Sequence, residues 1–225
     1  MEEKDVLFVE NLVKPEYEKI RDWSHGWLHI LGVKESSIKL ATAENYDTNV
    51  SAVLAYCHDL GRVLEEQDSS LGSHSVLSIE PSVRILQQIG VKGKLFGSII
   101  EAIAVHSYKD YQGKDLAAKV LRDADKSEAL GPKGVLRAAR YILRRDFVDT
   151  DLIFRNYHNQ ELMDLFAKET LERIKKDPEA LSRYLKDFSF TLEWINEKMF
   201  DTNSAYRLFE EEMKYIKKSH EFLLS

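Results

Sequence analysis

The fold class is decided by residues 48–62, which read TNVSAVLAYCHDLGR. Apolar side chains return here at intervals of three and four residues from Val50 onward, and His58 continues the same stripe. This spacing predicts an α-helix that turns one face toward a core. Gly61 is well placed to end the helix, because glycine readily adopts the conformation common at helix C-termini. The stretch therefore predicts a helix that begins near Thr48 and directs His58 inward.

The same periodicity recurs along most of the chain, while alternating strand patterns joined by tight turns are scarce. We therefore expect an all-α protein. The predicted helices cover residues 16–22, about 24–33, 48–61, 74–88 with a break or kink near 81, 94–106, 115–130 and 134–145. A looser segment at 146–159 and three amphipathic helices follow, of which the clearest carries an apolar stripe from Leu181 to Met199. That stripe is expected to be core or a partner surface.

The composition is that of a soluble globular protein. Hydrophobic residues make up 44% and charged residues 31% of the 225 residues, and no apolar run is long enough to cross a bilayer. The net charge of -6 argues against binding of duplex nucleic acid, whose phosphates favour clustered basic side chains. We read no secretory signal and expect a cytoplasmic protein without membrane association. The lone cysteine, Cys57, excludes a thiolate metal cluster, so a metal site must use nitrogen and oxygen ligands.

Histidines and aspartates are concentrated on or near the inward faces of five predicted helices. The set comprises His29, His58, Asp59, His74, His106, Asp123 and Asp125. Buried imidazoles and carboxylates are costly unless they are paired or bound to a cation, and a helical bundle can project such groups into a shared centre. The concentration therefore predicts a metal site, although any one of these histidines taken alone is more often a hydrogen-bonded core residue.

Three separated elements resemble the HD superfamily of metal-dependent phosphohydrolases. They are HILGV at 29–33, AYCHDLGR at 55–62, and RDADK at 122–126 followed by GPKG at 131–134. The adjacent His58 and Asp59 are the pair that names the superfamily, and the set is similar to its bacterial and archaeal branch of small-nucleotide pyrophosphohydrolases. The resemblance implies one HD-type helical domain over residues 1–225, with a core at about 20–140 and additional C-terminal helices at about 141–225.

Carried over by position, the resemblance implies one divalent metal ion held by His29, His58, Asp59 and Asp125. Mixed nitrogen and oxygen ligation with open positions suits Mn²⁺, Fe²⁺, Co²⁺, Ni²⁺ or Mg²⁺ better than structural zinc, and Mn²⁺ is favoured. Periodicity does not choose between Asp123 and Asp125, because the two flank the apolar face of their helix almost symmetrically. The match to the family favours Asp125 and leaves Asp123 as the fallback ligand.

The reaction implied is hydrolysis at phosphorus by metal-activated water. Asp59 could both bind the ion and orient the water, while His74, His106 or His25 could transfer protons, since imidazole titrates near neutral pH. The residue that activates the water is left open. A second ion held with the help of His74 and His106 is an alternative, but a single metal is favoured.

Substrate phosphates need donors close to the metal. Arg62, one turn beyond the His-Asp pair, and Lys126, beside a predicted ligand, are the best placed. Lys109 and Arg137 are weaker candidates, and His25 is a further candidate for substrate binding. The partner expected is a small phosphorylated metabolite, with a nucleotide or nucleoside triphosphate favoured, and Tyr108 could stack on its base.

Two hypotheses from other classes stay open. In the first, the protein is a noncatalytic sensor that binds a nucleotide at the same site. In the second, the protein is an interaction scaffold whose histidines are merely buried. A homodimer formed through the apolar C-terminal helices is a separate, further hypothesis.

Overall fold

A computed structural model describes residues 1–20, 25–109, 111–143 and 149–225. Helices make up the regular secondary structure of these ranges, which contain no strand, so the all-α prediction is confirmed. The helices are α1 Glu3–Tyr17, α2 Trp27–Ala43, α3 Thr48–Cys57, α4 Arg62–Gln67, α5 His74–Leu77, α6 Ile79–Gln88, α7 Gly93–Val105, α8 Leu116–Ser127, α9 Gly131–Leu143, α10 Thr150–Asn156, α11 Gln160–Lys176, α12 Pro178–Asn196, α13 Asn203–Leu208 and α14 Glu210–Leu224. None of those described combines the length and apolar character that a bilayer crossing demands.

The chain divides into two compact units. The first comprises residues 1–125 and 201–205, and the second comprises residues 126–200 and 206–225. In the first unit α3 packs against α1, α2 and α7, and α7 also packs against α5 and α6. In the second unit α9 packs against α11, α12 and α14. Each unit has its own buried apolar core, and the single domain over 1–225 stays a prediction.

Helix α3 is the central helix of the first unit. Its residues from Val50 to Cys57 are all buried, so it is covered on every side rather than along one stripe. Asp47 caps its start, because the carboxylate accepts the backbone N–H groups of Asn49 (2.9 Å) and Val50 (3.0 Å). The predicted beginning at Thr48 is confirmed, and the capped helix delivers the His-Asp pair at its C-terminal end.

Gly61 has a different role from the predicted one. It does not end α3, but directly precedes α4 with an ordinary right-handed φ of -74°. A Cβ atom at this position would lie 2.3 Å from the carbonyl oxygen of His74 and 2.7 Å from the backbone nitrogen of Ser78. Glycine is therefore required because the backbone of α5 approaches the turn closely. This approach brings His74 beside the turn that carries Asp59.

The prediction of a first helix at 16–22 is wrong, because α1 ends at Tyr17. Its Val9, Val13 and Tyr17 are buried at four-residue spacing, and the Tyr17 hydroxyl donates to the carbonyl oxygen of Tyr56 (2.9 Å). This packing against α3 offsets the backbone hydrogen bond that Pro15, inside the helix, cannot donate. The predicted start of the next helix near Ser24 lies outside the described residues.

The break predicted within 74–88 is present, but it lies at Ser78 rather than at Pro81. Pro81 is in the first turn of α6, where a missing N–H is tolerated because it has no intrahelical partner. The short helix α5 therefore stands apart from α6, with His74 as its first residue.

The C-terminal half is more helical than predicted. The segment at 146–159 contains α10, whose start is capped by Asp149 through a bond from the backbone N–H of Leu152 (3.0 Å). In the stripe predicted on α12, Phe188 and Ile195 are buried, as is Met199 just beyond the helix. These three side chains are core.

We expect Asp47→Ala to reduce the free energy of unfolding by about 1 kcal/mol at pH 7, the usual value of an N-cap. Partial burial opposes ionisation, but the N–H bonds from Val50 and Asn49 and the Met1 ammonium outweigh it and lower the pKa of Asp47. A carboxylate whose pKa is lowered in the folded protein stabilises it above the unfolded pKa and loses that effect as the pH falls through the folded pKa.

The difference between Asp47→Ala and wild type should therefore shrink as the pH falls below about 4. Urea denaturation of the metal-free proteins at pH 7 and pH 3 measures it. Glu44→Ala removes a half-buried carboxylate from the same loop and serves as the control. An equal loss at both pH values would contradict the assignment of the cap.

Candidate metal centre

The first unit brings six of the predicted site residues to one place. They lie in or at the ends of five different helices, which explains why no single sequence window contains the site. They are His29 in the first turn of α2, His58 and Asp59 at the end of α3, His74 at the start of α5, His106 at the end of α7 and Asp125 on α8. All but His74 and Asp125 are buried.

The four predicted metal ligands face a common point. Oδ2 of Asp59 lies 3.8 Å from Nε2 of His29 and 3.7 Å from Nε2 of His58. Oδ1 of Asp125 lies 3.3 Å and 3.9 Å from the same two nitrogens. Two imidazoles and two carboxylates therefore converge, and the Asp125 side chain, 28% exposed, opens the cluster toward solvent.

The second oxygen of Asp59 faces a different pair of histidines. Its Oδ1 lies 3.5 Å from Nε2 of His74 and 3.5 Å from Nε2 of His106. Asp59, with a side chain 2% exposed, thus stands between the predicted ligands on one side and the predicted proton-transfer residues on the other. Ligand atoms of Asp59, His74 and His106 lie within 4.8 Å of one another, close enough to hold a cation.

Backbone carbonyls orient two of the rings. Nδ1 of His58 lies 2.8 Å from the carbonyl oxygen of Ala55, and Nδ1 of His106 lies 2.7 Å from that of Ile103. Because a carbonyl only accepts, Nδ1 must carry the hydrogen, and Nε2 of the neutral ring presents a lone pair. Both Nε2 atoms therefore point their lone pairs toward carboxylate oxygens.

A divalent cation fits this arrangement. Among the described residues, Nε2 of His58, Nε2 of His106 and Oδ1 of Asp59 are buried without a hydrogen-bond partner. Facing lone pairs of this kind repel one another unless a cation or a proton lies between them. The donor set of imidazole nitrogens and carboxylate oxygens suits first-row divalent ions. The residues that would hold such an ion are His29, His58, Asp59 and Asp125, an assignment that stays a prediction.

The protonation states also suit a metal. Burial opposes ionisation of Asp59, but its neighbours, chiefly His58, outweigh burial and hold the pKa of Asp59 well below its usual range. The pKa of Asp125 is likewise lowered, since His29 and His58 outweigh the effect of burial. Burial lowers the pKa of His58. Ionised carboxylates and neutral imidazoles are the forms that bind metal ions.

The remaining two histidines respond differently to their surroundings. Burial lowers the pKa of His74. Burial also disfavours the charged form of His106, but the Asp59 carboxylate outweighs it and raises the pKa of His106. Different proton affinities of these two histidines, which both face Oδ1 of Asp59, suit the transfer of a proton from one group to another.

Arg62 lies beside the cluster in an ion-pair network. Its Nε is 3.3 Å from Oδ2 of Asp59, and its Nη1 donates to Oε2 of Glu65 (2.8 Å). Oε1 of Glu65 in turn accepts the backbone N–H of His74 (3.1 Å) and lies 3.3 Å from its Nδ1. Glu65 was missed as a site residue, although its position three residues after Arg62 on one helix face was a usable signal.

The other predicted substrate-binding residues lie in different surroundings. His25 is half-buried, with its ring 6.3 Å from that of His29, and Lys109 is exposed. Lys126 and Arg137 belong to the second unit, where the Lys126 ammonium donates to the carbonyl oxygen of Met199 (2.7 Å). Binding of substrate by these residues and by Arg62 stays a prediction.

Asp123, the fallback ligand, is occupied elsewhere. Its Oδ1 accepts the backbone N–H of Asp201 (2.7 Å), and its Oδ2 accepts the N–H and the hydroxyl of Thr202 (2.9 and 2.7 Å). It is fully buried, whereas Asp125 points into the histidine cluster. The geometry thus separates two aspartates that the helical periodicity does not distinguish.

The chain is similar to a known protein family and to several solved structures. The family model described as HD domain matches residues 26–130. A predicted HD superfamily hydrolase from an uncultured Thermotogales bacterium is similar in structure, with 20% identity over 81% of this chain and 92% of that one and a TM-score of 0.53. A search among curated proteins gave no match.

Two further solved structures cover nearly the whole chain. Bacillus subtilis YpgQ in complex with ADP shares 20% identity over 98% of this chain and 93% of that one, with a TM-score of 0.58. The Lin1889 protein from Listeria innocua shares 16% identity over 100% and 97%, also with a TM-score of 0.58. At these identities the structures establish a shared fold.

Proposed function

We propose that this chain, in which residues 26–130 match the HD domain, hydrolyses a small phosphorylated metabolite, with a nucleotide or nucleoside triphosphate as the favoured substrate. HD domains are characteristic of metal-dependent phosphohydrolases. The cluster of His and Asp side chains in this chain could hold the divalent ion. The observation that carries the proposal is the convergence of His29, His58, Asp59 and Asp125. The ADP complex of YpgQ, a protein of the same fold, supports a nucleotide as substrate.

The four ligand residues would leave open positions for water and a substrate oxygen. A bound divalent ion supplies Lewis acidity and lowers the pKa of water toward neutrality. Asp59 is proposed to orient the attacking water with Oδ1, the oxygen that faces away from His29 and His58. His74 and His106 are proposed to hold or release a proton at Nε2, because Nδ1 of each ring is engaged by Glu65 or by a carbonyl.

The proposal assigns substrate phosphates to cationic side chains. Arg62 keeps a side chain 24% exposed while it is anchored by Asp59 and Glu65, so its guanidinium is preorganised for an oxyanion. Lys126 stays the other favoured candidate. Lys109 and Arg137 stay weaker candidates, and His25 stays a further one. Exchange of Arg62 for Gln should raise the KM for the nucleotide more than it lowers kcat if the contact is with ground-state phosphate.

The test of the proposed function is a nucleotide panel assayed for release of phosphate and pyrophosphate. The protein is stripped with a chelator and reloaded separately with Mn²⁺, Fe²⁺, Co²⁺, Ni²⁺ or Mg²⁺. We expect turnover that depends on the metal, with Mn²⁺ the most effective. Tight nucleotide binding without turnover under every metal would favour the noncatalytic sensor. A protein that binds neither metal nor nucleotide would favour the scaffold.

We expect His74→Ala and His106→Ala each to lower kcat by about 10²- to 10⁴-fold, the usual contribution of general acid or base catalysis. The metal content should stay at one ion per chain, because neither residue is among the four proposed ligands. Steady-state kinetics and elemental analysis of the same samples measure both quantities. His158→Ala changes an exposed histidine of the second unit and is the control.

A wild-type content of two ions per chain that falls to one in either variant would contradict this assignment. It would instead make the group of Asp59, His74 and His106 a second metal site.

A homodimer is proposed through the C-terminal helices. Phe190 and Trp194 lie one turn apart on α12 and are 56% and 41% exposed, which supports an apolar contact surface on the second unit. Light scattering over a range of concentrations, with Phe190→Ser as comparison, tests it. A monomer at every concentration would refute the proposal.

A cytoplasmic location is also proposed. The only cysteine, Cys57, is buried as a free thiol, so the described fold depends on no disulfide. Fractionation of cells that express the tagged chain, followed by immunoblotting, tests the location.

A further inference from the structure

A buried guanidinium lies behind the metal centre. Arg122, on α8 three residues before Asp125, is the largest fully buried side chain of the described residues, at 1% exposure. A buried arginine is costly unless its donors and its charge are satisfied. The groups that satisfy it therefore show what it holds in place.

Three of its bonds go to the end of α7. Nη1 of Arg122 donates to the carbonyl oxygens of Val105 (2.9 Å), His106 (3.2 Å) and Tyr108. Carbonyls at a helix C-terminus lack partners within the helix, and a cation there satisfies them and offsets the negative end of the helix dipole. Arg122 thus caps the C-terminal end of α7, where His106 lies.

The backbone of His106 controls where its ring points. Its Nδ1 bonds to the carbonyl oxygen of Ile103, one turn back in α7, so the ring is fixed to the helix end. Its Nε2 then lies 3.5 Å from Oδ1 of Asp59. If the last turn of α7 loosened, both the ring bond and this approach to Asp59 would change.

The charge of Arg122 is balanced by a residue far along the chain. Nε of Arg122 donates to Oδ2 of Asp201 at 2.7 Å. The neighbouring Asp123 accepts the backbone N–H groups of Asp201 and Thr202, so two consecutive residues of α8 hold this segment from both sides. Residues 201–205 belong to the first unit, although they lie outside the segment 26–130 that the HD family model matches.

We propose that Arg122, ion-paired with Asp201, is a positioning residue that holds His106 against Asp59 at the metal centre. It touches neither substrate nor metal and acts only through the end of α7. This inference rests on the proposed function for its kinetic consequence, but its structural consequence is independent of turnover. The proposed pair therefore supports the site from outside the cluster of ligands, and Asp201 lies beyond the segment that the HD family model matches.

The test is a double-mutant cycle of Asp201→Asn and His106→Ala, read as kcat and KM with a nucleotide and Mn²⁺. Asparagine keeps the shape of Asp201 but removes the charge that balances Arg122. We expect Asp201→Asn to lower kcat about tenfold in the wild-type background, with KM changed less than about twofold, as for loss of second-layer support. In the His106→Ala background the same change should alter kcat less than about twofold, because the group it positions is gone.

A general loss of structure would lower kcat both in the wild-type background and in the His106→Ala background. An equal decrease of kcat with and without His106, or no decrease in the wild-type background, would overturn the proposal. Arg122→Lys keeps the charge but not the fork of donors, and should reproduce the effect of Asp201→Asn. Asp115→Asn, an equivalent change at the start of α8, is the matched control and should leave kcat within about twofold.

A second measurement does not depend on activity. In the metal-free protein, long-range ¹⁵N–¹H spectra report the tautomer of each imidazole, and the His106 signals are assigned with His106→Ala. We expect Asp201→Asn to shift the His106 nitrogen signals and to leave those of His158 unchanged, whereas Asp115→Asn shifts neither. If wild-type protein hydrolyses no nucleotide, the proposed function fails while this spectrum still decides the positioning role. Unshifted His106 signals in Asp201→Asn would refute that role.

Discussion

Replacing Asp59 with alanine is expected to abolish metal-dependent hydrolysis, with kcat reduced at least about a thousandfold. The expectation follows from the position of this carboxylate, since Oδ2 faces His29 and His58 while Oδ1 faces His74 and His106. The substitution removes a proposed ligand and the proposed anchor for water in one step. A thousandfold loss corresponds to about 4 kcal/mol of transition-state stabilisation.

The metal content should fall together with the activity. Elemental analysis and isothermal titration with Mn²⁺ should show binding weakened by at least about 100-fold, because one charged ligand is lost. Glu101→Ala removes an exposed carboxylate from α7 of the same unit and is the matched control. Full activity of Asp59→Ala, or full activity of wild-type protein without metal, would rule out this centre as the site of hydrolysis.

The second large effect is expected at two aspartates that are only two residues apart, where one substitution should reduce stability and the other should reduce metal affinity. Asp123→Ala is expected to reduce the free energy of unfolding by about 3–5 kcal/mol, because three buried donors of Asp201 and Thr202 lose their acceptor. Asp125→Ala should change the stability of the metal-free protein by less than about 1 kcal/mol, because its partly exposed carboxylate has no such set of donors. Its Mn²⁺ affinity should instead fall by at least about 100-fold.

Urea denaturation of the chelated proteins at pH 8 measures the first quantity, and Mn²⁺ titration measures the second. If Asp123→Ala is too unstable to purify, Asp123→Asn retains one acceptor and should show a smaller loss of stability with metal binding intact. Loss of metal binding in Asp123→Asn at unchanged stability, with normal binding in Asp125→Ala, would reverse the assignment of the ligand.

Predictions from local patterns succeeded where the governing interaction is itself local. The intervals between apolar residues in 48–62 predict a helix from Thr48, and α3 begins there. Local patterns failed where contacts distant in sequence outweigh them. The first helix was predicted at 16–22, but α1 ends at Tyr17 and continues through Pro15, because it packs against α3. Gly61 is a residue type that commonly ends helices. Here glycine is required instead because the backbone carbonyl of His74 lies too close for a Cβ atom.

Residue types and their spacing were enough to predict the all-α class, a metal site without thiolate ligands, and a short set of histidines and aspartates as candidate ligands. These follow from residue type and helical period, which are properties of neighbouring residues. The packing of the helices determines which carboxylate faces the histidines, since Asp123 and Asp125 flank one helix face almost equally. It also brought Asp201 to Arg122, across 79 positions of the chain. The direction of a side chain toward a partner that far away depends on how whole helices pack, and no local pattern records that packing.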